Sequence, residues 1–410
     1  MTQLQCGPPL EMETSSDCTL TPDPIRMLLT QPQCTDRAIA ALRKPNDLAA
    51  AYYVRAQRND DPADFLRALQ VLENVSGADF NRALIQEQLG LTTEAIASWN
   101  AYLRTDPDGQ WAAEARQHRD ALQTRDAASA QWATVEKEIE AALQQGDRDR
   151  LARLIAPFPW TAQNTFEMTL LPRWADANHL DWARTYAEAL SQRLHGDRFH
   201  TDLVAAIANA TPEKRRVLLE GHRLFSEGGT ADSSSFARAA QLLRGNSPLW
   251  LVATMKSTAL QPLDEAVTLL TTLENDPDAA KYTHVLARIQ SFRAYQLFEL
   301  GDYIGSTRSY ESAIKKYREL DDHESVLKNQ IRLIGNHRTA GEHGRAWRTA
   351  FGAMREFHRV VSPQERHVLL GETALTAVTM GAPAIAMQYQ NMAVDVVRKW
   401  KGKEAVVRLN

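Results

Sequence analysis

The sequence predicts an all-α fold, a solenoid of antiparallel helix hairpins stacked one on the next. Three observations carry this. Alanine, leucine, arginine and glutamate dominate the composition, and no stretch alternates β-branched with polar residues as a strand does. Gly301, Gly341 and Gly381 recur at intervals of 40 residues. Two more columns keep that interval: Ser306, Ala346 and Ala386, five residues after each glycine, and Ala313, Ala353 and Ala393, seven beyond those. Three columns in register through three copies mark an internal repeat.

Each column has a physical reason. A helix such as "RAYQLFEL" runs into the glycine, which takes the left-handed conformation that ends it. A second helix begins within about three residues. Its first inward position is small because it crosses the preceding helix closely there. The position two turns on lies on the same face and is small so that the next hairpin nests against it. Earlier in the chain, "LGLTTEAIASWNAYLRTDP" repeats the scheme with Gly90, Ala95 and Trp99, and Asp106-Pro107 closes its second helix.

In chain order, residues 1–36 read as a loosely packed leader, rich in proline, serine and threonine. Residues 37–125 hold N-terminal repeats. Helices are expected at 37–43, at 46–58 with Asn46 as N-cap, at 61–75 opening on Pro62, and at 79–89 and 92–105. A long helix is expected over about 110–145, ending at Gly146. Residues 126–246 form an irregular middle. Pro157 and Pro159 demand a turn or kink, and Pro172 a bend or a helix start. Helices follow at 181–195, 199–209, 213–227 and 235–244. Residues 247–397 carry the 40-residue array, and 398–410 a basic tail.

The spacing of a small residue, a large one four later, a further contact three later and a closing proline resembles the tetratricopeptide repeat. That resemblance implies a right-handed superhelical solenoid. Ala83, Ala294 and Ala374 stand in the motif's first-helix small column; Ile334 and Tyr102 depart from its pattern. The period of 40 adds six residues to the familiar repeat, about 9 Å of helix. They are expected around "YRELDDHESV". The stretches "NDLAAAYYVRAQRNDDPADFLRALQ", "LLPRWADA" and "AGEHGRAWRTAFGAMREF" are similar to the helical regions that precede CHAT domains, the caspase-like peptidases, in bacterial proteins. The resemblance implies a sensing or docking arm, with a CHAT-type peptidase in cis or trans as partner. The peptidase itself is absent, since it needs a histidine followed by a nucleophilic cysteine and Cys34 is the last cysteine. That leaves an arm alone or a piece of a longer chain.

Composition excludes several classes. Hydrophobic residues at 44% and charged residues at 24% fit a folded chain. Lys+Arg 47 against Asp+Glu 51 gives a net charge of -4, without the basic footprint of a nucleic-acid binder. No window of 18 apolar residues marks a membrane span, and the start lacks a secretory signal. Cys6, Cys18 and Cys34 suit thiols of a cytoplasmic protein. No phosphate-binding GxxxxGK, GxGxxG, HExxH or GxSxG pattern occurs. His337, His343, His358 and His367 lie near one another in sequence but lack the spacing of a ligand set. No metal, cofactor or catalytic residue is therefore expected.

Counting the repeat's groove positions back from Ser306 and Ala346 selects Arg288, Tyr295, Lys328 and Arg338. Three cations and an aromatic ring suit an acidic peptide, with arginine pairing carboxylates. The expected function is a non-catalytic protein-interaction scaffold that binds a peptide or protein segment in a concave groove. The alternatives are a peptide-sensing regulator of the pheromone-receptor type, an RNA-binding helical repeat, and an enzyme whose site the motifs do not reveal.

Overall fold

A computed structural model describes residues 35–125, 132–177, 179–230, 234–360 and 362–401. The described residues are helical, with no strand among them. The leader's first 34 residues with their three cysteines, the centre of the predicted long helix and most of the basic tail lie outside them. The helices are α1 (Thr35–Ala41), α2 (Pro45–Asn59), α3 (Ala63–Val71), α4 (Asp79–Gln88), α5 (Thr92–Thr105), α6 (Ala112–Arg125), α7 (Trp132–Gln145) and α8 (Arg148–Ile155). Next come α9 (Pro159–Thr165), a π-helical segment Phe166–Leu170, α10 (Leu171–Asp176), α11 (Leu180–Arg193), α12 (Phe199–Ala208), α13 (Pro212–Thr230), α14 (Ser235–Leu243) and α15 (Leu249–Ser257). The chain continues with α16 (Leu263–Glu274), α17 (Thr283–Glu299), α18 (Tyr303–Glu319), α19 (His323–Thr339), α20 (His343–Arg355), α21 (Pro363–Thr379) and α22 (Pro383–Lys401).

The repeat is visible in the backbone. Helices α17, α19 and α21 share one length and begin 40 residues apart. Around "YRELDDHESV", where the added residues are expected, α18 and α19 have 17 residues each, whereas α20 has 13. Gly301, Gly341 and Gly381 have φ of 82°, 78° and 76°. A side chain at such φ clashes with the backbone, so these turns need glycine. Ser306, Ala346 and Ala386 are buried, as are Ala313, Ala353 and Ala393. The Ser306 hydroxyl donates to the Ala294 carbonyl at 2.8 Å, so the small columns of the two helices meet where the helices cross. Ala83, Ala95 and Trp99 are also fully buried.

Local differences have local causes. Asn46 is not the cap of α2; Lys44 takes that place and Pro45 the first turn, where its missing N–H costs nothing. The two prolines of "LIAPFPWTAQ" bracket a tight turn, and Pro159 opens α9. Pro172 does not bend the chain away. It sits in the first turn of α10, directly after the π segment, whose wider register relieves the N–H that proline lacks.

The described chain forms two compact units. One comprises residues 35–125, 341–358 and 363–401; the other runs from 132 to 340 and adds 359, 360 and 362. This division differs from the sequence boundaries at 126 and 247, because it cuts the 40-residue array after residue 340. In the first unit the array's last hairpins pack on the N-terminal ones. The Tyr389 hydroxyl donates to the Leu89 carbonyl at 2.7 Å. Gln70 Nε2 donates to the Gly381 carbonyl at 2.8 Å. Phe65 stacks on Phe351 with ring centroids 5.5 Å apart. A rule in which each hairpin touches only its sequence neighbours fails here. The second unit has a core in which Phe166 stacks on Tyr186 at 5.1 Å and Trp174 meets Tyr186 edge-on.

Candidate functional site

The four predicted groove residues do not form an open cationic groove. Arg288 is 8% exposed, and Nη1 of its guanidinium donates to both oxygens of Glu167 at 2.7 and 2.8 Å. Lys328, one repeat later in the same column, holds its ammonium over the Trp160 ring. The column is filled by the chain's own segment from α9 into the π helix. The expectation that a partner occupies this column at Arg288 and Lys328 is corrected, because the chain's own segment fills it. Tyr295 is exposed and lies under the Arg332 guanidinium, 5.5 Å from the ring centroid. Arg338 is half-buried. Of the four histidines weighed in the sequence, His337 is buried, His343 and His358 are exposed, and His367 lies beside the Ala393 carbonyl.

The structure gathers a different set of ionisable groups. Glu167 sits in the π segment and is completely buried. His200 of α12 donates Nε2–H to it at 3.1 Å. His284 of α17 places Nε2 3.9 Å from the same carboxylate oxygen. Arg288, one turn further along α17, donates to His284 Nε2 at 3.2 Å, which makes that nitrogen an acceptor and His284 a neutral ring. Asp197 fixes both helix starts: one oxygen accepts from Phe199 N and the other from His284 N, each at 3.0 Å. Burial alone would raise the Glu167 carboxyl, but Arg288 and His200 outweigh it and hold the group far below the carboxylate range. Burial drives His284 well below its ordinary value and His222, also fully buried, down to about 4. Lys256 falls to about 8 through burial and the Arg288 charge.

Glu167, His200 and His284 place one ligand atom each within 4.8 Å of one another, a carboxylate and two imidazoles. That donor set suits a divalent transition metal. The fourth member decides against it. The Arg288 guanidinium already spans both carboxylate oxygens and touches His284, so a metal ion would sit against a fixed positive charge. The arrangement is a buried ion pair with two imidazoles that ties the π segment, α12 and α17 together. Removing one partner of such a pair costs about 3–5 kcal/mol. Glu167 is separated from His200 by 33 residues and from Arg288 by 121, and no motif spacing joins it to them.

A second carboxylate pair pins α9 to α19. Glu324 accepts from Thr161 N at 3.0 Å and from the Thr161 hydroxyl at 2.9 Å, capping the first turn of α9 from another helix. Asp322 caps its own helix through Ser325 N and accepts from Gln163 Nε2 at 3.2 Å. Burial, with Asp322 nearby, raises Glu324 to about 7.

The first unit contains a cleft of about 330 Å³. Its walls include Leu69 and Ile385, the amides of Gln70, Gln86 and Gln388, and the first turn of α22. Arg82 also lines it, but its guanidinium is engaged by Asp79 and the carbonyls of Leu72 and Val75. Gln388 Oε1 is buried without a hydrogen-bond partner. The lining contains no serine, cysteine or histidine, the residues of a nucleophile–base pair. No described helix is long and apolar enough to cross a membrane. No protein-family model matches the chain, and no curated protein is similar to it.

Proposed function

We propose that the chain is a non-catalytic interaction scaffold that holds a peptide segment in the cleft of its first unit. One observation carries this: a cleft of about 330 Å³ in which the amides of Gln70, Gln86 and Gln388 stand beside Leu69 and Ile385. Side-chain amides can meet the backbone N–H and C=O groups of an extended segment, and Leu69 and Ile385 would cover a small apolar side chain. An acidic peptide is disfavoured, because Arg82 is paired with Asp79 and the exposed carboxylate of Glu73 also lines the cleft. The hairpins are tetratricopeptide-like and belong to a right-handed superhelical class, and the chain serves as the docking arm of a CHAT-type peptidase system in the cytoplasm.

Ala384 is exposed at the cleft's rim, so Ala384→Trp fills the cleft without entering the core. Partners captured from a lysate by the native chain and identified by mass spectrometry should be lost with this variant while its circular dichroism is unchanged. Identical capture by both chains would reject the cleft as the binding site.

A further inference from the structure

Lys256 lies in the last turn of α15 with its side chain half-buried. Its ammonium sits 5.2 Å from the Phe236 ring centroid and 6.0 Å from that of Phe225. The two rings come from α14 and α13 and meet edge-on at 5.4 Å. Gly228 of α13 lets Phe236 approach so closely, since a Cβ there would come within 2.8 Å of the ring. The π faces attract the ammonium weakly and do not replace its lost hydration.

Among the described residues no carboxylate pairs with this ammonium. Lys281 by contrast pairs with Asp278, and Lys328, also over a ring, has Glu324 beside it. The carboxylate whose charge reaches Lys256 is Glu167, and Arg288 already engages both its oxygens. The stronger field at Lys256 is that of Arg288 itself. His222, one turn before Phe225 on α13, is kept neutral by burial and supplies no counter-charge. Apolar surroundings and a like charge therefore both favour loss of the proton, and each is a known way to make a lysine nucleophilic. Together they bring the amine from an ordinary 10.5 down to about 8.

We propose that Lys256 is a covalent modification site, a nucleophilic amine that accepts a short acyl group from a thioester. The neutral nitrogen attacks the thioester carbonyl carbon. The C–N bond forms, the C–S bond breaks, and the departing thiolate takes the proton that the nitrogen loses. The products are an amide and a thiol. An aldehyde would instead leave a protonated imine, a cation in the same apolar place beside Arg288, so the surroundings favour acyl transfer. The half-buried position suits a short chain, which Phe225 and Phe236 can cover. The inference is independent of the peptide cleft.

Treating the full chain with a dilute acetyl thioester from about pH 6 to 10, with mass spectrometry of each lysine, tests this. At about pH 7.5 the neutral amine is roughly a hundredfold more populated than in an ordinary lysine. Lower basicity and partial burial take back part of that gain. Lys256 should therefore react about tenfold faster than the exposed Lys137 and Lys214. Its rate should level off above about 8, while theirs keep rising. Equal rates at neutral pH, or a Lys256 rate that climbs with the others throughout, overturns the proposal. Lys256→Met keeps an unbranched chain against the rings and removes the charge, so its urea midpoint should rise. A midpoint that stays or falls overturns the proposal equally, because the ammonium is then not held there at a cost.

Discussion

Glu324 shows how a single side chain records its surroundings. It caps α9 while sitting on α19, beside Asp322 and the Lys328 ammonium, with His323, Arg193, Asp321 and Arg359 around the same turn. Its folded value near 7 stands above its unfolded value, so folding favours the protonated form. The stability it contributes is complete below the unfolded value and is lost as pH rises through about 7. The full swing is on the order of 3 kcal/mol. Urea titrations between pH 5 and 8 should show stability falling with pH in the native chain and a flatter profile in Glu324→Gln. Equal slopes would mean that Glu324 does not carry the pH dependence. Arg288 carries the complementary lesson. Its repeat column, shared with Lys328, was legible from the 40-residue spacing, but its partner Glu167 was not, because nothing local ties residue 288 to residue 167.

At the scale of elements the hairpin is governed by glycine, and two kinds of glycine behave oppositely. Gly301 has positive φ at a hairpin turn, so Gly301→Ala should destabilise by about 1 kcal/mol. Gly352 lies inside α20 with nothing within 4 Å of an added Cβ, so Gly352→Ala should stabilise by a few tenths to about 1 kcal/mol. Chemical denaturation of both variants checks the opposite signs; a shared sign would contradict the assignment of Gly301 to the left-handed turn. These features are short-range, which is why the 40-residue columns were legible. The π segment was not. Pro172 in an apolar run signalled an interruption, yet only the packing of Glu167 against α12 and α17 shows that the helix continues through it in a wider register.

For the molecule as a whole, the first unit draws on both ends of the described chain. Phe65 needs Phe351, and the Leu89 carbonyl needs Tyr389. A chain ending at residue 340 should therefore lose hydrogen-exchange protection in α3 to α5, though those residues are unchanged. Native protection there would mean that the N-terminal hairpins stand alone. The sequence by itself determined the all-helical class, the hairpin repeat, its glycine turns and its buried small columns. Each of these follows from interactions between residues within one or two helices, which spacing records directly. Only the tertiary structure decided that the last hairpins pack on the first, that Arg288 pairs with Glu167, and that an amide-lined cleft opens beside α22. Those depend on contacts across 121 to 311 residues, where solvation and charge balance select the partner and periodicity leaves no trace.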